Sequence, residues 1–288
     1  MSMNYIDNNP PIEIVNKPVL FSTAQSKCRS PLALNANWIP IENAYNQFYR
    51  NYNGDRKQKI PKILHQIWFG GKPFPTKYQN LTDRWLTIHQ DWHYILWTEK
   101  EIEDLGMTNY NLYNNMVNPS AKSDVARYEI AYAYGGVYVD TDYYAVKPLD
   151  DLLYLDFFTG VIGSYDGGYI NADTIIAPSI FGCSQGNKMM AGIIQHISQV
   201  NVVPKTLPEI MEITGPGMFA RYVSENIDKV PMSVAFPTPF FEPYPAGLRE
   251  AVRNLSIEQL AQPMEHFVSP ETYAAHLHYC SWQHPHLL

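Results

Sequence analysis

The sequence predicts an α/β sandwich, and three observations carry that expectation. Short apolar runs closed by glycine alternate with stretches of helical periodicity. The longest helical stretch carries its own start and stop residues. A pair of acids also stands where an apolar run ends, the place where ligands bind in such sheets. That pair is in "AKSDVARYEIAYAYGGVYVDTDYYAVKP", residues 121–148, where Asp140 and Asp142 follow Val137 and Val139.

Taken in order, residues 1–58 are rich in Asn and Pro, with one expected helix near "PIENAYNQFYRNY" and a connector at "NGDRKQK". They are read as an extension ahead of a main domain at 59–288. "KILHQIWF" (62–69) is a strand stopped by Gly70 and Gly71. In "TKYQNLTDRWLTIHQ" (76–90), Tyr78, Leu81, Trp85 and Ile88 recur at helical spacing. "WHYILWT" reads as a strand and "EKEIEDLG" as a short helix closed by Gly106. The next helix has Asn118 as cap, Pro119 at its first position and Gly135 after its end. "GVYVD" then follows as a strand. Further on come "DTIIA" (strand), "NKMMAGIIQHISQV" and "GPGMFARYVSENI" (helices), "SVAF" (strand) and "YAAHLHY" (strand).

Composition removes several classes of function. With 288 residues, 45% of them hydrophobic, the chain can bury one large core. It has 21 basic and 28 acidic residues, a net charge of −7 and no basic block, which argues against a broad nucleic-acid or anionic-membrane surface. "MSMNYIDNNPPIEIV" lacks the basic start and apolar run of a secretory signal. No apolar stretch is long enough to span a bilayer; the nearest, "MMAGIIQHISQVNVVP" (189–204), is broken by Gln, His, Ser and Asn. Cys28, Cys183 and Cys280 are odd in number and lack a CxxC pair, so they read as free thiols of a reducing, cytoplasmic protein.

On a strand, Tyr138, Asp140 and Asp142 share one face, with the two acids about 7 Å apart. Both then reach one cation or its water. A hard divalent ion, Mg²⁺ or Mn²⁺, takes one or two carboxylates and completes its shell with water and phosphate oxygens. The bland alternative is two solvated acids on a turn. Asp124 and Arg127, three apart with Tyr128 beside them, share a helix face, and Gly135 and Gly136 turn that helix into the acidic strand. They gather at the acids or form an ordinary surface ion pair. No phosphate-cradling glycine loop is visible: "GCSQGNK" lacks the spacing and the final Ser or Thr.

"IPKILHQIWFGG", followed at a distance by S-D-x-x-R-Y and G-G-x-Y-x-D-x-D, closely resembles the DXD-containing sugar transferases of glycosyltransferase family 32. That family includes the outer-chain-initiating mannosyltransferases and many capsule glycosyltransferases. The stretch resembles, more distantly, the catalytic domain of the large clostridial glucosylating toxins. The resemblance implies a GT-A fold with a mixed central sheet flanked by helices, a UDP- or GDP-linked sugar donor, Mn²⁺ or Mg²⁺, and transfer with retention of configuration. By the same carry-over, Trp68 stacks on the nucleobase. Asp124 and Arg127 hold the donor sugar, with Arg127 also near the phosphates, and Tyr138 lines the donor pocket. Asp140 meets ribose, sugar or metal-bound water, and Asp142 ligates the metal. Trp68 as core and Tyr138 as a half-buried strand aromatic are the plain alternatives.

In "HLHYCSWQHPH" the family pattern of His followed by Ser-Trp is met by His276, Ser281 and Trp282. His276 is then a third metal ligand, and Ser281 and Trp282 contact the diphosphate. His278 stands where relatives often carry an aromatic, so which histidine meets the metal stays open; a zinc site of His276, His278 and Cys280 lacks a fourth ligand at the usual spacing. "TGPGMF" (214–219) packs the cleft floor and Asn171 is a weaker sugar or acceptor contact; no nucleophilic carboxylate is assigned, since Asp166 and Asp173, the candidates, read better as structural. The acceptor is a glycan, a lipid-linked oligosaccharide or a protein, and a peripheral membrane contact is compatible with this. Two rival readings are an effector that glycosylates a host protein and a non-catalytic, metal-dependent sugar-nucleotide binder.

Overall fold

The computed structural model describes residues 38–162, 176–243, 251–252 and 254–279. Its strands are β1 (Ile63–Ile67), β2 (His93–Trp97), β3 (Gly136–Val139), β4 (Tyr143–Ala145), β5 (Phe157–Val161), β6 (Ile176–Cys183), β7 (Ser233–Phe236) and β8 (Ala274–His276). Six of them form one sheet in the order β2-β1-β3-β6-β5-β7, and β4 pairs antiparallel with β8 apart from it. Neighbours are parallel except that β6 runs against both β3 and β5. The sheet is mixed, as expected. Strands β3, β5 and β6 are buried along their whole length, as central strands covered on both faces are.

The helices are α1 (Trp38–Tyr45), α2 (Thr76–Ile88), α3 (Glu99–Glu103), α4 (Tyr110–Asn115), α5 (Pro119–Tyr134), α6 (Lys188–Ser198), α7 (Leu207–Ile213), α8 (Pro216–Asn226) and α9 (Ile257–Phe267). Helix α5 obeys its punctuation: the Asn118 side chain accepts from Ser120 N, Pro119 opens the first turn, and Gly135 closes it with φ 65°. Gly136 also has positive φ, and a Cβ there would lie 2.7 Å from Ile63 O, so this turn accepts glycine alone. Helix α1 sits within the main core, with Tyr45 edge-on to Phe236 and Phe240 at 6.1 Å.

Several elements depart from the sequence reading. The strand expected at "DTIIA" is described from Ile176 and runs on through Pro178 to Cys183, because the β5 register breaks between Thr159 and Gly160, where a residue without an N–H is tolerated. Strands β4 and β5 are additional. So are α7 and α9, each opened by a complete capping box, Thr206 with Glu209 and Ser256 with Gln259. The acids also do not lie on a strand. β3 ends at Val139, and Asp140 to Asp142 form a turn in which Tyr143 N donates to Asp140 O at 3.3 Å. The strand spacing of the two carboxylates therefore does not apply.

His65 of β1 ties the sheet to the Gly135–Gly136 turn between α5 and β3. Its Nε2 lies 2.8 Å from Gly135 O and its Nδ1 accepts from Trp97 Nε1 at 3.2 Å, which makes it a neutral ring protonated on Nε2. Burial pushes its pKa down to about 4, only partly offset by the Gly135 carbonyl. A depressed histidine favours the fold fully above its unfolded pKa near 6.5 and loses that contribution as pH falls towards 4. The difference is worth roughly 3 kcal/mol at about 1.4 kcal/mol per unit. His65→Gln should therefore flatten the fall in urea midpoint between pH 7 and pH 4.5; slopes parallel to those of the parent protein contradict this role.

Candidate active site

A cleft of about 840 Å³ opens beyond the carboxyl ends of β1 and β3, lined among others by Trp68, Asp124, Arg127, Tyr138, Asp140, Asp142 and His276. Most of the sequence-predicted site is thus brought together in one cavity. Asn171, Ser281 and Trp282 lie outside the described residues, as do Asp166, Asp173, Cys28 and Cys280. Cys183 is a buried free thiol whose pKa burial pushes far up.

Helix α5 delivers Asp124 and Arg127 one turn apart, and the fold buries them: both side chains are 7% exposed, with Arg127 Nη2 3.1 Å from Asp124 Oδ1. This is not a surface ion pair. Every N–H of the guanidinium has a partner inside the protein. Nε donates to Ser123 O, Nη1 to Asp140 Oδ1 and Pro178 O, and Nη2 to Asp124 and to Ser123 Oγ. Arg127 also lies 4.7 Å above the Tyr138 ring, whose hydroxyl donates to Asp140 Oδ1 at 2.7 Å. In this state Arg127 organises Asp124 and Asp140 and holds no N–H in reserve for a phosphate. The 214–219 segment closes the floor: Thr214 O accepts from Tyr128, and a Cβ at Gly215 would sit 3.1 Å from Asp124 Oδ2.

The other acid has a different protector. Pairing of β4 with β8 sets Tyr143 opposite His276, and the two rings stack at 4.4 Å and 8°. His276 Nε2 is thereby 3.2 Å from Asp142 Oδ1, while Tyr279 N donates to Asp142 Oδ2 at 2.8 Å. His278, with φ 50°, meets Glu242 Oε2 at 2.8 Å, and His276 Nδ1 meets Glu242 Oε1 at 3.1 Å. Glu242 was not singled out in the sequence. The signal was an acid between Phe240–Phe241 and Pro243, apolar company in which a carboxylate needs buried partners.

These surroundings push the two acids apart. Burial drives Asp124 up to about 7 and Asp140 upward as well; Arg127 opposes both shifts, and Asp142 adds to that of Asp140. Burial would also raise Asp142, but His276 charge and hydrogen bonding bring it below the usual carboxylate range. Burial disfavours the His276 cation, yet Asp142 and Glu242 outweigh it and raise the ring to about 10. Among the described residues, Asp140, Asp142 and His276 each offer a donor atom with all three within 4.8 Å. Two carboxylates and one imidazole suit a hard divalent ion, and the imidazole favours Mn²⁺ over Mg²⁺. Glu242, His276 and His278 form a second such group, already joined by hydrogen bonds.

Trp68 is half-buried at the cleft wall, tilted against Tyr78 at 5.2 Å and edge-on to Phe74, with Nε1 donating to Lys72 O. It is both wall and packing residue.

Residues 75–158 match the family model described as a glycosyltransferase sugar-binding region containing a DXD motif. The resemblance read from the motifs is borne out. Inositol phosphoceramide mannosyltransferase 3 of Schizosaccharomyces pombe is 31% identical over 40% of this chain and 33% of its own length. The initiation-specific alpha-1,6-mannosyltransferase of Candida albicans is 24% identical over 73% of this chain and 70% of its own. The chain spans about a third of the length of the fission-yeast inositol phosphoceramide mannosyltransferases 3 and 1. Among solved structures, the catalytic domain of the Clostridium novyi alpha-toxin gives a TM-score of 0.44 at 10% identity, covering 81% of each chain. The ligand-free glycosyltransferase domain of the YGT toxin gives 0.45 at 10% identity over 73% of this chain and 90% of its own.

Because Arg127 compensates two buried acids, Arg127→Leu should lower the unfolding free energy by about 3 kcal/mol at pH 8. The penalty should shrink at pH 5.5, where Asp124 takes up a proton. Urea titrations at the two pH values check this, and a penalty that does not change with pH contradicts it.

Proposed function

We propose that the chain is a metal-dependent glycosyltransferase that moves a hexosyl group from a nucleotide-sugar donor to a hydroxyl acceptor. The observation that carries this is the meeting of Asp140, Asp142 and His276 in the cleft that also holds Asp124 and Arg127, with both aspartates of the group inside the segment that matches the sugar-transferase family model. The names of the fungal relatives favour mannose as the sugar and an inositol-containing lipid or a glycan as the acceptor.

Asp142 and His276 would hold the cation directly, with Asp140, 27% exposed, facing the donor side. When bound, a divalent ion of this kind offsets the charge that develops on a departing diphosphate, worth several kcal/mol. The remaining work belongs to the chain. Asp124, held by Arg127, accepts hydrogen bonds from sugar hydroxyls and fixes the ring. Trp68 offers its exposed face to the base, a contact worth about 1–3 kcal/mol where stacking is complete. The bond from the anomeric carbon to the phosphate oxygen breaks with its electron pair leaving on phosphate. The acceptor oxygen bonds to that carbon from the same face, and its proton passes to the departing phosphate oxygen. The outcome is retention without a protein nucleophile.

Asp142→Asn deletes a ligand charge at nearly constant volume and leaves an oxygen for Tyr279 N. We expect at least a hundredfold loss of Mn²⁺-dependent nucleotide release from a panel of UDP- and GDP-sugars, with an unchanged circular dichroism spectrum. Turnover at the parent rate contradicts the assignment. Tight binding of a donor by the parent protein without any release points to a binder instead.

A further inference from the structure

We propose that Glu242 is the positioning residue of the cation site, aiming His276 Nε2 at Asp142 while its other oxygen holds His278. This deepens the function proposed above and rests on its reading of Asp142 and His276 as cation ligands. Glu242 is 1% exposed and is placed there by backbone geometry: its N–H donates to Thr238 O at 2.7 Å, closing the turn through Thr238–Phe240. The same segment binds the strand that carries the histidines, since Tyr273 N donates to Phe240 O and His276 N to Phe241 O. One carboxylate oxygen then meets His276 Nδ1 at 3.1 Å and the other meets His278 Nε2 at 2.8 Å.

A carboxylate only accepts, so each ring donates the nitrogen that faces it. For His276 this holds a proton on Nδ1, while Nε2, 3.2 Å from Asp142 Oδ1, donates to that carboxylate and is the nitrogen that would give up its proton to a cation. The Tyr143 ring, stacked on one face and anchored through its hydroxyl to Ser179 Oγ at 3.0 Å, blocks rotation out of that plane. For His278 the same carboxylate takes up Nε2 at 2.8 Å, so one buried glutamate engages both histidines and aims His276 at Asp142. Carboxylates that orient a ligating imidazole in this way typically govern metal affinity by 10–100-fold.

The test is Mn²⁺ affinity, measured without donor by calorimetry and by electron paramagnetic resonance, on the parent, Asp142→Asn and Glu242→Gln proteins. A glutamine offers one acceptor where the carboxylate offers two, so one imidazole must change its protonated nitrogen. Glu242→Gln should raise the Kd for Mn²⁺ tenfold or more. A lowered Tm with the parent Kd would leave Glu242 merely structural and overturn the proposal. If Asp142→Asn weakens Mn²⁺ binding and Glu242→Gln does not, only this inference fails; if the parent binds no Mn²⁺, the cation reading fails with it. Should Glu242→Gln not fold, ¹⁵N spectra of the parent protein loaded with Mg²⁺ decide: a proton on His276 Nδ1 is expected, and one on Nε2 overturns the proposal.

Discussion

Two like charges held one residue apart are the constraint on which this site depends. Left alone in a half-buried turn, the Asp140 and Asp142 carboxylates would repel each other and take up protons. The fold instead gives each its own counter-charge from a different part of the chain: Arg127 of α5 for Asp140 and His276 of β8 for Asp142. The first is local, thirteen residues away. The second joins residues distant in the chain, and the ribbon of β4 and β8, apart from the main sheet, is what brings them together.

Compensation of this sort also preorganises. Arg127, with its five N–H groups engaged, locks Asp124 and Asp140 before any ligand arrives, and Tyr138 adds a hydroxyl to the same oxygen of Asp140. Charged groups fixed in a water-poor cleft act on a developing charge without having to reorient. Arg127 was expected to hold the donor sugar and lie near the phosphates; in this structure its contacts set Asp124 and Asp140.

Much of this was legible in the sequence because the signals were local. Asn118, Pro119 and Gly135 bound α5 as their backbone preferences require, and the order S-D-x-x-R-Y then G-G-x-Y-x-D-x-D located the acids and their partner. What was not legible depends on long-range pairing. The turn at Asp140–Asp142 follows from Asp140 N binding Ser179 O on β6 and from Leu277 N binding Asp142 O. Glu242 gains its meaning only from histidines more than thirty residues away. Strand β6 continues past Pro178 only because of the break in the β5 register opposite it. By contrast, the boxes at Thr206 and Ser256 were readable in principle, since both pair a capping hydroxyl with Glu or Gln three residues on.

The most direct test of the central claim is crystallographic. Crystals soaked in Mn²⁺ and a nucleoside diphosphate, measured at the manganese absorption edge, should show an anomalous peak at bonding distance from Asp142 and His276 Nε2, with a phosphate oxygen completing the shell. A peak elsewhere, or none, with both carboxylates still held by Arg127 and His276 alone, would contradict the account.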